Sequence, residues 1–262
     1  MIIKLISKDE KNNKLVFSVD GIDAAFANAI RRSAIEEVPV MAIEDVELRR
    51  NSSALYDEMI AHRLGLIPLK TDLESYNLPS KCKCGGEGCA RCSTKLSLRA
   101  VGPGYVPASE LKPKDPKIKP VFGELPIVKL LKGQKLEVEA TAVLGKGKDH
   151  AKWIPGLVYY KKTPVYKVTG EIKDKNLAER FPDVFEAKAG KITINEKNLV
   201  SSPLADSIEE LSNGAVKAEE KEDSYTFIVE SWGQLSCQEI IDEAAAQLME
   251  KIEGLQAELK AK

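Results

Sequence analysis

The stretch SCQEIIDEAAAQLMEKIEGLQAELK, Ser236 to Lys260, decides how the rest of the chain is read. Within it Ile241, Ala245, Leu248, Ile252, Leu255 and Leu259 recur at spacings of four, three, four, three and four. That seven-residue repeat predicts a long helix with one narrow apolar seam. Such a seam lies either on a sheet of its own chain or against a helix of another. The repeat runs to within three residues of the last position, so no following segment is expected to cover it, and a partner chain is the favoured reading.

Working outward, DSYTFIVES alternates Tyr225, Phe227 and Val229 as a strand face, and Gly233 breaks it before the helix. At the opposite end, IIKLIS and KLVFSV read as two antiparallel strands around the turn KDEKNN. GIDAAFANAIRRSAIEEVP follows, with Asp23 as cap, Phe26, Ala29, Ile30 and Ala34 at helical spacing, and Pro39 as terminator. The middle opens with strand-like VMAIEDVELRR and then DEMIAHRLGLIPL, Asp57 to Leu69. Here Ser52 or Ser53 is expected to cap a helix whose apolar side is Met59, Ile60 and Leu64. Asp57 and Glu58 sit near its positive end and His62 and Arg63 near its negative end. Gly65 is expected to stop it in a left-handed turn, after which LIPL runs extended. ELKPKDPKIKP reads as an exposed connector, QKLEVEATAVLG as a half-buried strand through Leu136, Val138, Ala140 and Ala142, and residues 167 to 222 as a small separate lobe with helix-like NLAERF and SIEELSN.

Composition narrows the function. The 262 residues carry 39 basic and 40 acidic side chains, a net charge of −1 that supplies no large cationic field for nucleic acid. No apolar run approaches the roughly 20 residues of a membrane span, and MIIKLISKDE turns charged too soon for a secretory signal. A cytoplasmic protein without a membrane role is expected. In a reducing compartment the crowded KCKCGGEGCARC, with Cys82, Cys84, Cys89 and Cys92, reads first as a metal loop. Four thiolates close a tetrahedral shell, so one structural zinc is the leading assignment, with an iron–sulfur cluster or an empty site as rivals. Cys237 reads as a small buried hydrophobe.

Nothing in the sequence assembles a nucleophile with a base. His62 and His150 are the two histidines, no HExxH or GxSxG occurs, and adjacent Asp57 and Glu58 point about 100° apart on a helix. GKGKDHAKW lacks the third glycine of a dinucleotide loop and the Gly-Lys-Ser/Thr of a P-loop. It offers a turn leaving a strand, with His150, Lys152 and Trp153 as contact residues or as parts of a packed loop. No catalytic and no cofactor-binding residue is assigned.

In this order, FANAIRRSAIEEVP, DEMIAHRLGLIPL and GKGKDHAKWIPG resemble the D-subunit family of archaeal DNA-directed RNA polymerase. That family is similar to the third-largest eukaryotic polymerase subunit and the N-terminal region of bacterial alpha. The resemblance implies an α+β fold in which residues 1–38 and 223–262 form a discontinuous dimerisation domain of strands and two long helices. It implies a mostly β insert domain over 39–166 and a ferredoxin-like lobe over 167–222. The implied role is a non-catalytic platform within a nucleotidyltransferase complex, a heterodimer with the small L subunit that docks the N, P and large catalytic subunits and meets DNA only through the complex. By this resemblance Phe26, Ile30, Ile241, Ala245, Leu248, Ile252 and Leu255 belong to the dimer surface. Asn28, Arg31, Arg32, His62, Arg63, Gly65, His150, Lys152 and Trp153 lie at or support subunit contacts. Many relatives carry cluster-binding cysteines in the lobe; this chain has none between Cys92 and Cys237, so no iron–sulfur cluster is expected. The cysteine loop resembles the eukaryotic zinc loop with one more residue in its central spacer. The alternative is a free-standing zinc-containing nucleic-acid-binding regulator, using Lys81, Lys83, Arg91 and Lys95; a third reading is an enzyme with an unrecognised site.

Overall fold

The computed structural model describes residues 1–172, 174, 176–188 and 191–260. In chain order, strands β1 (Ile2–Asp9) and β2 (Lys14–Asp20) precede helix α1 (Ala24–Glu36), strand β3 (Pro39–Asn51) and helix α2 (Asp57–Gly65). Strands β4 (Ser93–Val101), β5 (Gly104–Pro107), β6 (Lys112–Pro113), β7 (Pro126–Leu130), β8 (Lys135–Lys146) and β9 (Gly156–Val168) follow. Then come α3 (Asn176–Arg180), β10 (Phe185–Lys188), β11 (Lys191–Ile194), α4 (Glu196–Ser201), α5 (Ile208–Leu211), β12 (Val216–Ser231) and α6 (Cys237–Lys260). The mixture of antiparallel sheets and separate helices is the α+β class. The chain divides into two compact units, Met1–Arg31 with Val158–Glu230, and Arg32–Leu157 with the segment from Ser231 onward.

In the first unit the sheet order is β1-β2-β12-β9. The expected hairpin forms: β1 and β2 pair antiparallel from Ile2↔Asp20 to Asp9↔Lys14. Asp9 accepts the N–H groups of Lys11 and Asn12 at 3.0 and 3.1 Å, and Asn13 takes the left-handed φ of 49° that the turn requires. β12 departs from simple alternation, since Ser224 to Val229 are all buried. Phe227 stacks on Phe17 at 5.2 Å, while the hydroxyls of Ser224 and Thr226 bond Thr163 Oγ1 at 2.8 and 3.0 Å, so both faces of this interior strand are used. Its first residue, Val216, belongs to a separate apolar cluster with Tyr166, Leu177, Phe185, Leu199 and Ile208. NLAERF and SIEELSN form α3 and α5 beside this cluster, with β10 and β11 as a two-stranded hairpin.

In the second unit the sheet order is β3-β8-β4-β6, with β5 and β7 as a separate pair. β8 behaves as its pattern predicts: Leu136, Val138, Ala140 and Ala142 are buried in a core with Met41, Ile43, Leu96 and Leu98. α2 closes that core with Ile60 and Leu64, both fully buried.

The structure corrects several expectations. Met59 is 50% exposed, since it sits one position, about 100°, around the helix from Ile60. Tyr56, not a serine, occupies the N-cap of α2 and makes no side-chain cap; Ser53 instead bonds Asn51 Oδ1 at 2.7 Å. The helix ends with Leu66 in right-handed geometry (φ −89°), so Gly65 is no left-handed stop. LIPL forms no strand, only the bridge Leu69↔Pro120. ELKPKDPKIKP is tied down, because Leu111 and Ile118 enter the core, Lys112–Pro113 pair with β4, and Asp115 accepts the Tyr76 hydroxyl at 2.7 Å.

Two glycines explain GKGKDHAKW without a ligand. A Cβ on Gly145 would lie 2.2 Å from the Trp153 ring, and one on Gly147 would lie 2.1 Å from the Ile35 carbonyl oxygen. The glycines are there so that the indole and the end of α1 can pack directly on the backbone.

The last helix is fixed in rotation by a polar cluster. Glu37, 7% exposed, receives Lys146 Nζ from β8 at 3.0 Å and Lys251 Nζ from α6 at 2.5 Å. Lys146 also donates to Gln247 Oε1 at 2.8 Å, and Ser33 Oγ donates to the Ala244 carbonyl at 2.7 Å. Burial alone would raise the Glu37 carboxyl; the two ammonium groups, Lys251 foremost, outweigh it and hold it below the ordinary 4.5. The N-terminus of α6 is a capping box, in which Glu239 N–H bonds Ser236 Oγ at 3.2 Å and Ser236 N–H bonds Glu239 Oε2 at 2.7 Å.

Two outcomes are expected. Gly145→Ala drives a methyl group into the indole and should lower stability by about 1–3 kcal/mol, read as a reduced midpoint of thermal or urea unfolding; an unchanged midpoint would contradict the packing described. A carboxyl held below its unfolded value contributes stability that is present above that value and lost as pH falls through the folded one. The stability gap between wild type and Glu37→Gln should therefore be widest near neutrality and close as pH falls below about 4, whereas a gap that widens in acid would contradict it.

Candidate functional site

The cysteine loop is built by its glycines. Gly85, Gly86 and Gly88 adopt φ of 68°, 90° and 91°, reversing the backbone twice within the loop. Gly85 N–H returns to the Cys82 carbonyl at 3.0 Å, and Cys92 N–H to that of Cys89 at 3.0 Å. Asn77 N–H bonds the Arg91 carbonyl at 2.7 Å and closes the base, and Cys92 leads directly into β4. Cys82 and Cys92 are buried, Cys84 and Cys89 partly so.

Sulfur separations are 3.4 Å for Cys82–Cys84, 3.5 Å for Cys82–Cys89, 3.5 Å for Cys84–Cys92 and 3.8 Å for Cys89–Cys92. These are far longer than the roughly 2.05 Å of a disulfide. They match the edges, about 3.8 Å, of a tetrahedron of thiolates bound at about 2.3 Å to a central ion. All four sulfurs lie within 4.8 Å of one another, so the loop could hold a metal ion. The Cys89 backbone amide, followed by the Cys82 thiol, pulls Cys84 down to about 6. Burial, followed by the Cys84 thiol, pushes Cys92 up to about 12. The cluster thus holds one sulfur ready as thiolate and one that gives up its proton only to a strong competitor such as a cation. Of the four cations around the loop, Lys81 already pairs with Glu250 and Lys95 with Glu139.

The second candidate surface is helical. On α6, Ile240 and Ala244 are buried and Gln247 and Lys251 face the Glu37 cluster. The predicted seam lies one residue further round: Ile241 and Leu248 are half-buried, Ala245 is exposed, and Ile252, Leu255 and Leu259 are 49%, 59% and 67% exposed. On α1, Asp23 Oδ1 caps the Phe26 N–H at 2.7 Å as expected. Ala27 and Ala34 are buried, Ile30 is half-buried, and Phe26, placed on the apolar face by its spacing, is 41% exposed. Arg31 donates to Asn28 Oδ1 at 3.0 Å, and Arg32 pairs with Glu36 at 2.9 Å.

The remaining sequence-derived residues split between surface and support. His62 is exposed on α2, and Gly65 faces the Ile43 carbonyl. Arg63 donates to the carbonyls of Ile127 and Pro126 at 2.7 and 2.5 Å, so it ties α2 to β7. His150 is exposed, and its Nδ1 accepts the Lys152 N–H at 3.0 Å. Lys152 Nζ bonds the Ile43 carbonyl at 3.0 Å, pairs with Glu44 and lies 4.5 Å from the Trp153 ring centre. Trp153 is buried on Gly145. Tyr56, Leu66, Phe122 and Leu125 are exposed apolar residues that periodicity does not single out; their one signal is apolarity beside α2 and in the segment before β7.

Antiparallel sheets and segregated helices, with a thiol loop able to hold a metal ion, define a protein of the α+β class. No helix among the described residues is long and apolar enough to cross a membrane. Residues 41–155 match the RNA polymerase Rpb3/RpoA insert domain family. The whole chain is similar to DNA-directed RNA polymerase subunit Rpo3 of Pyrococcus horikoshii, at 38% identity over 98% of this chain and 97% of that one. The same subunit of Methanosarcina mazei is 38% identical over 98% and 97%, and that of Thermococcus kodakarensis 39% over 93% and 92%. The chain belongs to the archaeal Rpo3 family of DNA-directed RNA polymerase subunits.

Metal loading tests the loop directly. The purified chain should take up about one equivalent of a thiophilic divalent ion, and Cys89→Ser should remove it, as read by elemental analysis. Because binding must displace the Cys92 proton, apparent affinity should fall as pH falls below neutrality. Metal content indifferent to Cys89 would contradict the site.

Proposed function

We propose that the chain is a non-catalytic assembly platform of DNA-dependent RNA polymerase, acting in transcription as a heterodimer with the small L subunit. On this reading it docks the N, P and large catalytic subunits and meets DNA only through the complex. The observation that carries the proposal is the rotation of α6: its own unit occupies Ile240, Ala244, Gln247 and Lys251, and the heptad seam is left over. Covering Leu248, Ile252, Leu255 and Leu259 with a partner helix would contribute roughly 6–12 kcal/mol before association costs. By the family resemblance Phe26 and Ile30 of α1 also take part in the pairing, with residues 1–38 and 223–262 as the dimerisation domain, 39–166 as the insert and 167–222 as a lobe without a cluster.

The metal on this reading is one structural zinc. Sulfur separations of 3.4 to 3.8 Å support a single ion, since an iron–sulfur cluster places several atoms between its cysteines and holds them further apart. A free-standing nucleic-acid-binding regulator draws less support, because two of its four cations are committed to carboxylates within the chain.

Leu248→Asp puts a charge in the middle of the seam without touching the buried side of α6. Pairing with the small L subunit should weaken at least about a hundredfold, seen as loss of the complex in size-exclusion chromatography, while the cysteine loop keeps its metal. Retained pairing would contradict the dimer surface.

A further inference from the structure

The near-zero net charge of the chain hides a segregation. Residues 70–120 carry ten basic and five acidic side chains, while the remaining 211 residues carry 29 and 35. Three of the ten cations are neutralised within the chain: Lys81 by Glu250, Lys95 by Glu139, and Lys117 by Asp72 at 2.6 Å. Lys70 Nζ donates to the Gly233 carbonyl at 2.7 Å, and Arg99 stands opposite Glu137 on β8. Lys83, Arg91, Lys112, Lys114 and Lys119 are exposed, and among the described residues none has a carboxylate within ion-pair distance.

The fold gathers four of these around the start of β4. Ser97 pairs with Lys112, and Lys114 N–H bonds the Lys95 carbonyl at 2.8 Å, so both lysines share the outer face of β4 with Ser97, opposite buried Leu96 and Leu98. Lys83 and Arg91 line one open groove beside Cys84 and Cys89, and Cys92 leads from that loop into β4. A lysine and a proline on a two-residue edge strand also discourage stray strand pairing, which accounts for Lys112 and Pro113 but not for the cations of the loop.

The kind of partner follows from what this surface lacks. Among the described residues no large apolar side chain is exposed between Ile67 and Ala100 or between Val106 and Val121. A protein partner needs apolar or aromatic anchors at the centre of its contact, and a single nucleic-acid strand needs rings on which its bases stack. A duplex backbone needs only cations and hydroxyls directed at its phosphates.

We propose that Lys83, Arg91, Lys112 and Lys114, with the Ser97 hydroxyl, form a sequence-independent contact for the phosphate backbone of duplex DNA, made from within the polymerase. The inference goes beyond the platform role: it rests on the chain's membership of a DNA-directed polymerase family and not on the pairing of α6.

Binding of a short labelled duplex of arbitrary sequence to the purified full chain, followed by fluorescence anisotropy, tests it. Four phosphate contacts predict a slope of log affinity against log salt of about −3 to −4, a loss of roughly a hundredfold between about 50 and 200 mM salt. Lys112→Glu with Lys114→Glu should reduce the slope by about two and the affinity at least about tenfold. The melting transition, metal uptake by the cysteine loop and pairing with the L subunit should stay as they were, and Lys112→Arg with Lys114→Arg should keep the binding. Absence of binding at low salt, or binding indifferent to salt or to the double Glu substitution, would overturn the surface. So would tighter binding of single-stranded RNA or of poly-glutamate than of the duplex, the latter pointing to an acidic protein partner instead. Failure of the unsubstituted chain to pair with the L subunit would overturn the platform reading and leave this contact standing.

Discussion

The rotation of α6 about its own axis depends on Glu37. Apolar contacts are non-directional, and a helix carrying Ile240, Ile241, Ala244, Ala245 and Leu248 could roll by one residue and bury nearly as much surface. A carboxylate that is 7% exposed cannot be left without its cations, because an uncompensated buried charge is far costlier than a lost methyl contact. By requiring Lys251 and, through Lys146, Gln247 on the inner side, Glu37 fixes which stripe is spent within the chain. The other stripe remains open along the helix.

The same division between support and surface recurs through the second unit. Trp153 lies on the bare backbone of Gly145, Lys152 reaches back to the Ile43 carbonyl, and Arg63 clamps α2 to β7. These side chains hold loops and helix ends to the sheet, and the residues beside them face outward. In the cysteine loop, left-handed glycines and two backbone returns gather the sulfurs, so a metal would meet a set of ligands already converged. On the platform reading, such rigid supports mean that each docked partner loses little of its binding free energy to ordering this chain.

Much of this was legible in the sequence because local pattern and tertiary demand agree. β8 alternates and is half-buried; the β1–β2 hairpin and the Asp23 cap form where spacing and turn residues place them; Cys82, Cys84, Cys89 and Cys92 converge as their two pairs and intervening glycines suggest. Other features were hidden for physical reasons. β12 lies inside its sheet and from Ser224 to Val229 is buried on both faces, so Tyr225, Phe227 and Val229 are only half of its buried positions there. In α6 two apolar stripes run one residue apart, and periodicity cannot say which faces inward; that choice belongs to a carboxylate some two hundred residues earlier, whose role has no local signature. Met59 and Ile60 are adjacent apolar residues of which one helix face can bury one. The roles of Gly145, Gly147 and Arg63 are long-range contacts, invisible until the partner backbone is in place.

The most direct test of the platform reading is the native mass of the complex purified after co-expression of this chain with the small L polymerase subunit. A stable one-to-one heterodimer is expected, with the α6 seam from Ile241 to Leu259 protected from hydrogen exchange relative to the free chain. A chain that stays monomeric beside that subunit, its seam exchanging as freely as before, would contradict the claim that this face of the helix is reserved for a partner.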